Sequence, residues 1–108
     1  MEFNINEVIA KMGLEIKNAA AEQWKELQAV TTQFLQNRKA RLELLAHLRI
    51  SGDITQERFL SRLEDEKLFA EAEFNSIEVI SKATAQKAAN AAIQVLEDAV
   101  QTALDTVL

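Results

Sequence analysis

The sequence predicts an all-α protein built on two long antiparallel helices. Three observations carry that prediction. Proline is absent, only two glycines occur in 108 residues, and strong helix formers such as Ala, Leu, Glu, Gln and Lys dominate. Apolar residues recur at spacings of three and four on both sides of the chain's midpoint. Between these periodic stretches lies Ile50-Ser51-Gly52-Asp53-Ile54-Thr55, the one segment where a glycine lets the chain reverse readily.

A reversal about Gly52 pairs residues whose numbers add to about 104. That register sets Leu45 against Phe59, Leu35 against Phe69, Val30 against Phe74 and Trp24 against Ile80. Toward the open end it sets Met12 against Ala92, Ile9 against Val95 and Ile5 against Ala99, so apolar meets apolar nearly all the way. The basic run Arg38-Lys39-Ala40-Arg41 falls opposite the acidic run Glu64-Asp65-Glu66. Exposed ion pairs contribute about 0 to 1 kcal/mol each, so such pairs select the register while burial stabilises it.

Helix one is expected over about residues 5–50. Asn4 is the expected N-cap, with Glu7 at N3 and with Phe3 and Val8 placed as a hydrophobic staple. Gly13 falls inside this helix at a cost of about 1 kcal/mol relative to alanine, and a bend is expected there if anywhere. The inward seam runs through Ile16, Ala20, Trp24, Leu27, Phe34, Leu42 and Leu45, and Trp24 reads as a core residue. Arg38 interrupts the seam opposite Glu66, and Thr31 interrupts it opposite Glu73. Polar layers in an apolar seam fix register at some cost in stability, which makes Arg38, Glu66, Thr31 and Glu73 the candidate register-setting residues. After a turn at about 51–54, capped by Asp53 or Thr55, helix two is expected over about 55–107. Each helix would then be about 70 Å long at 1.5 Å per residue.

Residues 83–108 differ from the rest. One seam, Ala88-Ala92-Val95-Ala99-Ala103, faces helix one. A second, formed by Ile93, Leu96, Val100, Leu104 and Val107, has no cover in a two-helix hairpin. A helix apolar over more than half its circumference needs more than one neighbour. Dimerisation of two hairpins into a four-helix bundle is the expected solution, with this second seam as the interface.

Composition narrows the function. A net charge of −5 disfavours phosphate-backbone binding, which clustered Lys and Arg drive, so no nucleic-acid partner is expected. Cysteine and tyrosine are absent, His47 is the only histidine and there is no Gly-rich phosphate loop. Nucleophilic catalysis, nucleotide binding and histidine acid-base chemistry therefore lack raw material, and neither an enzyme nor a cofactor is expected. The one candidate metal constellation is Glu43, His47 and Glu57: Glu43 lies one turn before His47 and Glu57 opposite it. No basic and apolar leader opens the chain and no stretch approaches a membrane span, so a cytoplasmic location is expected.

These features favour a single-domain, non-catalytic helical interaction protein: an oligomeric adaptor, chaperone or scaffold that pairs with itself and with another protein through an apolar helix face. Two alternatives come from other classes. One is a metal-binding, ferritin-like half-bundle centred on His47. The other is an acidic inhibitor of a nucleic-acid-binding enzyme, which rests on net charge alone.

Overall fold

In the computed structural model, which describes residues 3–107, Asn4 opens the first helix. Its side-chain oxygen accepts hydrogen bonds from the backbone N–H of Asn6 at 3.0 Å and of Glu7 at 3.2 Å. These satisfy two of the donors that a helix N-terminus leaves unpaired. Four α-helices follow: α1 (Ile5–Ala19), α2 (Trp24–Ile50), α3 (Gln56–Asn75) and α4 (Lys82–Val107). There is no strand among the described residues.

The reversal at Gly52 is built as a Schellman motif. Gly52 N–H donates to Arg49 O at 3.2 Å and Asp53 N–H to Leu48 O at 2.9 Å. Gly52 itself sits at φ +84°, in the left-handed region that only glycine occupies cheaply. Of the two N-caps open to the next helix, the structure uses Thr55, whose hydroxyl accepts the Arg58 N–H at 3.1 Å.

Two further breaks divide what the sequence reads as two long helices. Ala20 leaves the helical basin at φ −123°, ψ 41°, and a single 3-10 turn over Ala21–Gln23 leads into Trp24. No glycine or proline marks this place, and Gly13, the expected weak point, lies within an unbroken α1. The second break, over residues 76–81, is better marked. Ser76 closes α3, and the Ser81 hydroxyl accepts the Thr84 N–H at 3.1 Å to cap α4. Between them lie Ile77, Val79 and Ile80, β-branched residues that hold a helix less firmly.

Both breaks fold the ribbon back on itself. α4 packs against α1 on one side and α3 on the other, with α2 across the diagonal. The longest dimension is 44 Å, well short of the roughly 70 Å expected of continuous helices. The reason is the excess apolar surface of α4. Ala85, Ala88, Ala89 and Ala92 are buried, and so are Ile93, Leu96 and Val100. The second seam is therefore covered by the chain's own α3, where Leu60 and Leu63 border Ile93. Leu104 is half-buried, and the side chain of Val107 lies outside the described residues. Folding over achieves within one chain the burial that was expected of a second copy.

The two glycines predict opposite responses to alanine. Gly52→Ala should destabilise the fold by about 1 to 2 kcal/mol, the cost of holding an L-residue in the left-handed region. At Gly13 an added Cβ would meet only the Leu35 Cδ1, at an ordinary 3.6 Å. Gly13→Ala should therefore stabilise by up to about 1 kcal/mol through helix propensity. Urea unfolding of both variants checks the pair of signs.

Candidate partner-binding groove

Of the residues singled out from sequence, Arg38 and Glu66 are brought together most tightly. Arg38 donates through Nε to Glu66 Oε2 at 3.0 Å and through Nη2 to Oε1 at 2.7 Å, a two-pronged pair. Arg41 adds Nε to the same Oε1 at 2.7 Å. Glu66 is only 2% exposed, so both guanidiniums serve to neutralise one buried carboxylate. The hydrogen bond to Glu66, reinforced by its charge and opposed by burial, raises the Arg38 pKa above its ordinary value. Arg38 also lies 4.4 Å over the ring of Phe69, which stacks on Phe34, itself edge-on to Phe74. That cluster explains why Phe69 reaches the surface: it lids the ion pair.

Thr31 and Glu73 do not form the matching layer. Glu73 is half-buried on α3, whereas the buried Thr31 hydroxyl has no hydrogen-bond partner among the described residues. Thr31 borders the junction of α2 with α1. The fold-over gives α2 a second neighbour that a simple hairpin lacks, and Thr31 belongs to that side.

The residues around His47 stay dispersed. His47 Nε2 is 3.8 Å from Glu43 Oε2, both side chains are largely exposed, and the ring of Phe3 meets His47 edge-on at 5.9 Å. Glu57 is exposed in the first turn of α3. Among the described residues no three His, Cys, Asp or Glu side chains gather where they could hold a metal ion. No helix among them is long and apolar enough to cross a membrane.

The surface that the fold creates, and that sequence reasoning missed, is a groove of about 440 Å³ between α1 and α2. Ile9, Gly13 and Leu14 form its α1 wall and Trp24, Thr31 and Leu35 its α2 wall, with Lys17, Thr32 and Gln36 at the edge. Leu14 is 54% exposed, Ile9 and Trp24 are half-buried, and no carboxylate lines the groove. Its α2 rim continues into a shallow polar depression bordered by Lys25, Gln28, Gln33 and Gln36. A signal was present: residues 28–37 hold no charged side chain in a chain that is 27% charged. A second, smaller cleft of about 160 Å³ near the α2–α3 turn joins Leu44, Leu48 and Ile54 to Arg41, Arg58 and Arg62. There Arg41 is already tied to Glu66, so the basic run noted in the sequence is partly neutralised within the chain.

No protein-family model, curated protein or solved structure matches this chain.

The ion-pair layer yields a double-mutant prediction. Glu66→Ala should destabilise by about 3 to 5 kcal/mol, because it strands a part-buried guanidinium and opens a gap. Replacing Arg38 and Glu66 together with Met and Leu should recover most of that loss, since the charge and its counter-charge leave together. Additive losses in chemical denaturation would show the two residues to be energetically independent.

Proposed function

We propose that this chain is a non-catalytic helical interaction protein, an adaptor, chaperone or scaffold, that receives a partner's amphipathic helix in the α1–α2 groove. The observation that supports the reading is the groove's composition: apolar walls, neutral polar rims and lysine as its only charge, on a chain of net charge −5. The α2 wall from Trp24 to Gln36 spans about 18 Å at 1.5 Å per residue, or roughly three turns of a docked helix. Helix-in-groove recognition works by apolar anchors at spacings of three, four and seven, which Leu14, Ile9 and Trp24 can receive. The charge of the groove fits a helix whose edges are acidic or neutral, because Lys17 and Lys25 flank it and no carboxylate repels it.

Exposed Thr32 and Gln36 add polar handles at the edge of this apolar surface. Cysteine is absent and His47 is the only histidine, which leaves nucleophilic catalysis little raw material in this sequence.

Trp24, the only tryptophan, makes the groove directly observable. Titration with a synthetic amphipathic helix carrying leucines at i, i+3 and i+7 and glutamates on its edges should shift Trp24 emission to shorter wavelength. Leu14→Lys should weaken that binding at least tenfold, whereas Leu44→Lys, in the other cleft, should leave it unchanged. No spectral change at millimolar peptide, or equal loss in both variants, would discard the groove as the site.

A further inference from the structure

The two helix breaks stand opposite each other. In the register about Gly52, residues 20–23 face 81–84, and residues 76–81 face 23–28, so one transverse line crosses both. That register holds on each side of the line, by side-chain hydrogen bonds in one half and by the residues that flank a common cleft in the other. In the half made by α2 and α3, Arg38 meets Glu66 and Arg49 Nε donates to Gln56 Oε1 at 2.8 Å. In the half made by α1 and α4, Asn4 and Val8 border one surface cleft with Ala99 and Val95. The molecule is a paired ribbon creased once across both strands.

We propose that the crease opens and that two copies of the chain exchange halves. With residues 20–23 and 76–81 straightened, α1 runs on into α2 and α3 into α4, and the pairings of α1 with α4 and of α2 with α3 survive unchanged. What is lost is the packing of one half on the other, including Leu35 beneath Gly13 and α3 over Ile93 and Leu96. A second copy, lying antiparallel about a two-fold axis at the crease, restores each of those contacts with identical residues. The partner is therefore fixed by the chain itself: every surface it must cover is already complementary.

The crease is also locally reluctant. Asn18-Ala19-Ala20-Ala21-Glu22-Gln23-Trp24 contains no glycine or proline, and Ala20, the strongest helix former, is held outside the helical basin. Straightening returns this stretch to its intrinsic preference. At the other break the Ser81 cap and the bond from Ile80 N–H to Ile77 O oppose it. Short hinges that conflict with local propensity are the setting in which exchange between protomers occurs. The exchange stands independently of any helix docked in the α1–α2 groove.

The test uses the full chain, which has no cysteine of its own. A variant with Gly13→Cys and Leu35→Cys, refolded at micromolar and at millimolar concentration, is oxidised and run without reductant. Positions 13 and 35 face each other across the α1–α2 junction, where an added Gly13 Cβ lies 3.6 Å from Leu35 Cδ1, so a link formed inside one folded chain is intramolecular and one formed in the exchanged dimer joins two chains. We expect the covalent double-mass species to rise at least tenfold at the higher concentration. A second, cysteine-free comparison covers failure of that variant to fold. Ser76→Ala with Ser81→Ala favours straightening and should increase the dimer fraction in light scattering, with a longest dimension in X-ray scattering near 70 Å. Inserting Gly-Gly after Ala20 and after Ile77 should hold the chain monomeric at about 45 Å. Dimers that crosslink only within each chain, or monomers in every variant at millimolar concentration, would overturn the exchange.

Discussion

The fold depends on one helix having too much apolar surface. α4 carries an alanine seam and a seam of Ile93, Leu96 and Val100, and both are buried. One neighbour covers only one side of such a helix, and exposed apolar patches of that extent are uncommon on single chains. Since α1 takes the first seam, something must cover the second. Folding the α2–α3 half over it meets that need within 108 residues. The creases at 20–23 and 76–81 are the consequence, and the local cost of leaving helical geometry is offset by the burial each crease permits.

The two halves are held by different chemistry. In the half made by α1 and α4, α4 contributes fully buried alanines at positions 85, 88, 89 and 92, side chains with little bulk to set them apart. Between α2 and α3, aromatic rings and a buried carboxylate dominate: Phe69 lies under Arg38 and stacks on Phe34, Phe74 meets Phe34 edge-on, and Glu66 accepts from two arginines. A buried charge that lost its partner would be costly in any alternative register, so this layer discriminates among registers more than it adds stability. The alanine half, with few distinguishing side chains, draws its register from continuity with the other half across the creases.

The groove follows from unequal helix lengths. α1 has 15 residues and lies beside α2, which has 27. α1 commits its face of Ile5, Val8, Met12 and Ile16 to burial, largely against α4, and meets α2 with what is left: Ile9, Gly13 and Leu14. Gly13 and Thr31 supply little bulk at that junction, so it stays open. An apolar surface that persists because a helix already fully engaged elsewhere cannot fill it is a natural place for a further helix.

The sequence by itself determined the helical class, the cap at Asn4, the reversal at Gly52 and the meeting of Arg38 with Glu66, because these depend on neighbours within a few positions or on one reversal, and it left the cap after the turn open between Asp53 and Thr55. Asn4 and Thr55 cap by bonds to residues two or three positions on, Gly52 alone can take φ +84°, and Arg38 reaches Glu66 once the chain reverses there. Only the tertiary structure decided where the ribbon creases. Nothing in the stretch from Asn18 to Trp24 disfavours a helix, so the break there is imposed from outside, by the surface of α4 that the other half covers. Ser76, Ser81 and the β-branched residues between them did mark the second break locally, but those side chains are also tolerated inside helices. The charge-free run 28–37 hinted at one wall of the groove, but its opposite wall was hidden for the same reason: Ile9 and Thr31 come to line one groove only when α1 folds back along α2, whereas a straight helix would hold them about 33 Å apart.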